Sequence, residues 1–275
     1  MSLKNDGTLL LAGAGNMGVA MLAGWLEGGL DPKGIVVQDP APPPRGKELL
    51  DKHGIKAQPS VASLAAPPAV IVVAVKPQVM DEVFPPLARL AGKGTVVLSI
   101  AAGRTIAGFE KHLPEGTAVV RSMPNTPAAI GRGVTVAVPN AHVTPAQRAT
   151  CDALLRAVGE VAWVDDEGLI DAVTAVSGSG PAYVFYLAEC LAEAGVEAGL
   201  APELSRKLAR CTVAGSGELL HRSDLGADVL RQNVTSPGGT TFAALQVLMA
   251  ENDGMSELMR KAVTAATRRS RELAK

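Results

Sequence analysis

Thr8-Leu9-Leu10-Leu11-Ala12-Gly13-Ala14-Gly15-Asn16-Met17-Gly18 is an apolar run that stops on three glycines spaced G-x-G-x-x-G. The spacing alone is a weak signal, but here it lies between a strand-like run and the start of a helical stretch, which is the context a dinucleotide-binding unit requires. Gly13 permits the tight turn and Gly15 lets a pyrophosphate approach the backbone. Gly18 lets the helix pack against the strand, and the helix N-terminus offers N–H groups to the phosphates.

Outward from this turn, apolar runs alternate with amphipathic stretches. The pattern predicts strands over 8–12, 35–38, 70–75, 95–100, 117–121, 134–138 and 160–164, with helices over 17–27, 46–53, 79–90 and 105–112. Val70–Val75 and Val96–Ile100 are too continuously apolar for a sheet with one wet face, so both faces should be covered by helices. The rhythm predicts an α/β fold with an N-terminal Rossmann-type doubly wound, mostly parallel sheet. After Asp165 strand-like runs stop and Ala-rich helical periodicity takes over, predicting helices over 183–199, 202–221, 227–232, 241–250 and 255–273. The expected domains are therefore 1–164, binding dinucleotide, and 165–275, all-helical. The proline-rich Pro40–Pro44 reads as a stiff turn after the second strand.

Composition narrows the function classes. The formal net charge of -1 supplies no broad basic field for a polyanion, and an aromatic content of 3% supplies few platforms for stacking bases, so no nucleic-acid partner is expected. No apolar run approaches the ~18 residues of a membrane span, so no membrane partner is expected either. The polar start, residues 1–6, shows no secretory apolar stretch, and a cytoplasmic protein is expected. Cys151, Cys190 and Cys211 stand far apart, which argues against a disulfide framework or a zinc site, and no metal is expected.

Ligands of open α/β sheets bind beyond the carboxyl ends of the strands. Asp39 ends the second strand about 20 residues beyond the glycines, where an acid hydrogen-bonds the ribose hydroxyls. An acid there repels a 2′-phosphate, yet Arg45 and Lys47 follow at once, so this position leaves NADH or NADPH open. Val75-Lys76-Pro77 puts a lysine where a dinucleotide would lie. The loop Ser99–Gly103 is small enough for a flat ring to rest on, and Asn125 stands between Pro124 and Pro127.

Two Gly/Ser-rich segments interrupt the helical half: Ser177–Pro181, and Thr235-Ser236-Pro237-Gly238-Gly239-Thr240-Thr241. Each presents backbone N–H groups and hydroxyls at a helix start, a cradle for a small carboxylate. Capping would explain a Ser or Thr there. It does not explain paired glycines beside paired threonines.

On these segments, together with Ala74–Gln78, Met123–Pro127, Asp171–Tyr183 and Val234–Thr241, the chain resembles the pyrroline-5-carboxylate reductases from end to end. The resemblance implies reduction of the C=N bond of 1-pyrroline-5-carboxylate to L-proline by hydride transfer from NADPH or NADH, the last step of proline biosynthesis. It implies a helical C-terminal domain that interlocks with a second copy, giving a homodimer or homodecamer with its active site at the subunit interface. Thr241 would donate a hydrogen bond near the ring nitrogen as the catalytic residue. Ser236, Gly238, Gly239, Thr240 and Thr241 would bind substrate, the backbone of Gly238–Thr240 holding the carboxylate. Gly13, Ala14, Gly15, Asn16, Met17, Gly18, Asp39, Val75, Lys76, Pro77, Ala102 and Asn125 are the expected cofactor residues, with Glu167 and Asn233 near the nicotinamide end. The chain departs from the family in the loop after the second strand, where the family often has a small hydroxyl residue and this chain has Gln38-Asp39-Pro40.

The chemistry agrees. A hydride attacks the imine carbon, the nitrogen needs only a proton or hydrogen bond, and a hydroxyl can suffice where a His–carboxylate pair is missing. The four histidines read as surface residues and Glu189, Glu193 and Glu197 as a solvated stripe or an interface face. A β-hydroxyacid dehydrogenase of the hydroxyisobutyrate type shares the turn but needs a lysine early in the second domain, and none occurs before Lys207. A non-catalytic dinucleotide sensor would leave Ser236–Thr241 without a task.

Overall fold

The structure, a computed structural model, describes residues 7–273. The polar lead-in at 1–6 and residues 274–275 lie outside that range. The first elements alternate: β1 (Leu9–Ala12), α1 (Asn16–Glu27), β2 (Ile35–Gln38), α2 (Pro44–Lys52), β3 (Ala57–Gln58), β4 (Val70–Val73), α3 (Met80–Ala88), β5 (Val96–Ser99), α4 (Ile106–Glu110) and β6 (Ala118–Met123). The chain continues with β7 (Gly133–Pro139), α5 (Pro145–Arg156), β8 (Gly159–Trp163), α6 (Ile170–Val173) and a π turn over Thr174–Gly178. Five further helices follow: α7 (Gly180–Glu197), α8 (Pro202–Arg222), α9 (Ala227–Asn233), α10 (Thr240–Leu248) and α11 (Met255–Leu273).

The strands form one eight-stranded sheet in the order β3-β2-β1-β4-β5-β6-β7-β8. Neighbours are parallel except β6 and β7, so the expected doubly wound, mostly parallel sheet is present. Its core confirms why the strands are apolar without interruption. Leu9, Leu11, Val70, Val72, Val96 and Leu98 pack into one cluster, while Leu10, Ala12, Ile71, Val73 and Val97 pack into a second. Successive residues of a strand point to opposite faces, so a sheet buried on both sides needs an apolar residue at every position.

β3, α5 and the short α6 exceed the expected set. β3 has two residues and pairs only at Val37–Ala57 and Gln38–Gln58. α5 is polar along most of its length and buries Cys151, Leu154 and Leu155. Its start carries a capping box, Thr144 Oγ1 accepting from the Gln147 N–H at 3.3 Å and Gln147 Oε1 accepting from the Thr144 N–H at 2.9 Å. Trp25 Nε1 donates to the Leu154 carbonyl at 2.8 Å and ties α1 to this helix.

By contacts, Ser179–Ala266 of the described chain forms one compact unit, and the remainder, including the stretch from Thr267, forms the other. Residues 165–178 stay with the sheet because Ile170 packs into one of its core clusters. Ser270 Oγ donates to Asp171 Oδ1 at 2.6 Å, which returns the end of α11 to the same unit. Within Ser179–Ala266, α7 and α8 meet at Gly195, where a Cβ would lie 2.2 Å from Ser205 Oγ. Ser205 Oγ donates to the Ala192 carbonyl at 2.6 Å. Among the described residues no helix is long and apolar enough to cross a membrane, and no group of three His, Cys, Asp or Glu side chains is arranged to hold a metal.

Candidate active site

β1 is flanked by β2 on one side and β4 on the other, so the chain reverses its direction of winding there and leaves a crevice at the strands' carboxyl ends. A cleft of about 730 Å³ occupies it, lined among others by Gly13, Gly15, Asn16, Asp39, Val75 and Lys76. The glycine turn is built for close approach. Gly13 has φ of +95°, and a Cβ there would lie 2.6 Å from the Ala74 carbonyl oxygen. A Cβ on Gly18 would lie 2.1 Å from the Gly13 oxygen, whereas one on Gly15 would enter open space in the cleft. No side chain caps α1, whose N-cap is Gly15, so the first N–H groups face the cleft's turn. This cradle fits the pyrophosphate of a dinucleotide: the only room a side chain would fill is the room a phosphate needs.

Asp39 has a second task. Its Oδ2 accepts from the Ala14 N–H at 2.7 Å and its Oδ1 from the Ala41 N–H at 2.8 Å, which pins the carboxylate at the rim. Ala14 itself is fully buried behind the turn. Met17 lines an adjoining depression of about 400 Å³ with Asn16, Arg45, Thr126 and Ala129.

Lys76 is exposed at the mouth beside the half-buried Val75 and Pro77. The Lys76–Pro77 loop is held from the other side by a residue that sequence reasoning missed. Arg104 donates to both oxygens of Asp81 at 2.7 and 3.0 Å and to the Pro77 carbonyl at 2.9 Å. Its hydrogen bonds hold the Asp81 carboxyl below its ordinary value. Arg104 follows the Ala101–Gly103 turn, in which Ala102 is exposed and Gly103 has φ of +71°, so its guanidinium ties the turn after β5 to the segment after β4.

Asn125 and Glu167, expected among the cofactor contacts, are used inside the sheet unit. Asn125 Nδ2 donates to the Ser177 carbonyl at 3.1 Å and its Oδ1 accepts from the Val134 N–H at 2.9 Å. Glu167 pairs with Arg121, which is 5% exposed. The available signal was an arginine inside the apolar strand β6: a charge buried there needs a partner.

In the helical unit, Ser236, Gly238, Gly239, Thr240 and Thr241 come together as one turn running into α10, and Asn233 ends α9 just before it. Gly238 adopts φ of +70°, a left-handed conformation that favours glycine. Gly239 is the N-cap of α10, donates to the Ser236 carbonyl at 3.1 Å, and leaves no room for a Cβ, which would lie 2.4 Å from Ser236 Oγ. No side chain caps α10 either. The turn therefore combines uncapped helical N–H groups with the hydroxyls of Thr240 and Thr241, the donors a small carboxylate with a polar ring requires.

The same two-part organisation recurs in known proteins. Residues 167–273 match the family of pyrroline-5-carboxylate reductase dimerisation domains, and residues 8–103 match the coenzyme F420-dependent NADP oxidoreductases. The pyrroline-5-carboxylate reductase of Synechocystis is 42% identical over 268 residues, covering 96% of this chain and 97% of that protein. Among solved structures, the pyrroline-5-carboxylate reductase of Coxiella burnetii superposes with a TM-score of 0.90 at 36% identity, covering 98% of this chain and 100% of that one. The Plasmodium falciparum pyrroline carboxylate reductase with NADP bound gives a TM-score of 0.81 at 28% identity, covering 98% and 99%.

Proposed function

The chain belongs to the pyrroline-5-carboxylate reductase family, and from that premise we propose how its own residues carry the reaction. It is an NAD(P)H-dependent oxidoreductase that reduces the C=N bond of 1-pyrroline-5-carboxylate to L-proline. NADH or NADPH, when bound, would supply the hydride that adds to the imine carbon, and water the proton that ends on the nitrogen. The residues of this chain bind and orient the two reactants and manage the charge that develops on nitrogen.

The N–H groups at the head of α1 hold the pyrophosphate, with Gly15 left bare to admit it. Gly13, Ala14, Gly18 and Pro77 shape the backbone around it, and Asn16, Met17 and Val75 line its sides. Lys76 contributes positive charge at the cleft mouth. Ala102 presents a flat apolar surface against which a ring can rest. Asn125 and Glu167 act through other groups, fixing the loop after β6 and the head of α4 beside the nicotinamide end, and Asn233 borders the substrate turn.

The observation that carries the substrate assignment is the turn into α10. Backbone N–H groups of Gly238 and Thr240 bind the ring carboxylate at the turn that the Gly239–Ser236 hydrogen bond closes, helped by Ser236, and the Thr241 hydroxyl donates to the imine nitrogen. That nitrogen gains electron density as the hydride arrives at carbon, so the hydrogen bond is stronger in the transition state than in the ground state and lowers the barrier. The family's dimerisation domain supports self-association, and we infer at least a dimer. The three cysteines are free, in keeping with a reducing compartment such as the cytoplasm.

Initial rates of NADH and NADPH oxidation with and without 1-pyrroline-5-carboxylate test the reading. Oxidation should require the imine and yield proline stoichiometrically. Cofactor binding with no imine-dependent oxidation would leave a dinucleotide sensor instead.

A further inference from the structure

Pinned at the cleft rim, Asp39 governs which dinucleotide the cradle accepts: we propose that this chain binds NADH in preference to NADPH. The inference rests on the dinucleotide reading of the cleft but not on the identity of the substrate. Both carboxylate oxygens receive backbone N–H groups, from Ala14 at 2.7 Å and Ala41 at 2.8 Å. The side chain therefore cannot swing away to admit a second anion without breaking two charge-assisted hydrogen bonds. It follows β2 directly, where the adenosine ribose of a bound dinucleotide lies. Its remaining lone pairs accept from ribose hydroxyls, and its charge opposes a phosphate at the 2′ position.

The loop beyond Asp39 strengthens the case, because a 2′-phosphate needs donors and the backbone of residues 40–44 has none to give. Pro40, Pro42, Pro43 and Pro44 lack an N–H, and the one N–H left between them, at Ala41, is bound to Asp39 itself. The cleft's lysine does not make up the deficit. Lys76 follows β4, which lies on the far side of β1 from β2, two strand spacings or roughly 10 Å away. Arg45 does not line the cleft itself but the adjoining depression, which shares Asn16 and Pro43 with it.

The test is direct titration of the purified protein with NADH and with NADPH, following nicotinamide fluorescence, in the wild type and in Asp39→Ser, Asp39→Asn and Arg45→Ala. NADH should bind the wild type at least ~10-fold more tightly than NADPH, the lower end of what two like charges cost a few ångströms apart near a surface. Both Asp39 variants should narrow that gap by strengthening NADPH. Loss of the Ala14 anchor alone would weaken both cofactors equally and leave the ratio unchanged, so an unchanged ratio overturns the proposal. Equal or tighter NADPH binding to the wild type also overturns it, and a selective loss of NADPH in Arg45→Ala would identify the phosphate's true partner. Failure of the protein to turn over the imine bears on the substrate assignment and leaves these affinities to be read on their own.

Discussion

Arg121 and Glu167 meet across 46 residues of sequence: Arg121 Nη1 donates to Glu167 Oε1 at 2.7 Å, and the same oxygen accepts from the Ile106 N–H at 2.9 Å. One carboxylate thereby joins β6, the head of α4 and the turn before α6. The Arg121 side chain is 6% exposed and Glu167 30%, so the pair is shielded chiefly on the arginine side. Glu167→Gln keeps the size and removes the charge that a buried guanidinium needs. It should cost about 2 kcal/mol, the range for hydrogen bonds to charged groups. Thermal unfolding would then show a Tm lower by roughly 4–8 °C. An unchanged Tm would show that Arg121 finds compensation elsewhere.

Gly18→Ala tests the cradle. The new Cβ would sit 2.1 Å from the Gly13 oxygen, against backbone that itself forms the turn, so the turn must deform. Affinity for both dinucleotides should fall at least ~10-fold, about 1.4 kcal/mol, with the far-UV circular dichroism unchanged. Wild-type affinity in that variant would count against this turn as the pyrophosphate site.

Thr241→Ala tests the hydroxyl assigned to the imine nitrogen. Removing a hydrogen bond made mainly in the transition state lowers kcat and kcat/KM together. A loss of at least ~10-fold is expected, with dinucleotide affinity intact and Thr241→Ser recovering most of the rate. Unchanged kinetics would remove the role.

The sheet was legible because burial on both faces leaves a mark at every residue: Val70–Val73 and Val96–Ser99 show no polar alternation. α5 was not, because it buries one narrow stripe and is otherwise polar, although Thr144 and Gln147 carried a readable start signal. In the site, the glycine turn and the Ser236–Thr241 turn were legible because both need glycines at fixed places. The pinning of Asp39 was not, since it depends on β2 folding back beside a turn 25 residues earlier. Arg104's brace on the Pro77 carbonyl was hidden for the same reason, being made across 27 residues by a side chain ordinary in sequence.

Cys151 provides a pH-linked check on the core. Burial, with a smaller contribution from Asp152, pushes its thiol from 9.0 to about 12. The folded state therefore favours the neutral thiol. Its stabilising contribution is complete below about pH 9 and declines as the pH rises towards 12, where the unfolded chain has already released the proton. Iodoacetamide at pH 8 should leave Cys151 unmodified in the native protein and modify it after denaturation, as read by peptide mass spectrometry. Rapid native labelling would contradict its burial.

The helical unit supplies the last prediction, because it has almost no interior of its own. Among the described residues of Ser179–Ala266, Ala209 is the only buried hydrophobic side chain. Meanwhile α7 exposes Val184, Phe185, Tyr186, Leu187 and Leu191, with Phe185 at 62%, and α10 exposes Phe242, Val247 and Leu248. Monomeric proteins rarely leave contiguous apolar patches beyond a few hundred Å² in water. A two-helix contact such as α7 against α8 is too small a core to hold a domain together, so these faces require a second copy. The protein should run as a dimer or larger species in light scattering at micromolar concentration. Phe185→Asp should weaken that association, and the helical signal and the reductase rate should fall together as dimer is lost. A wild-type protein that remains a folded, active monomer on dilution would overturn the prediction.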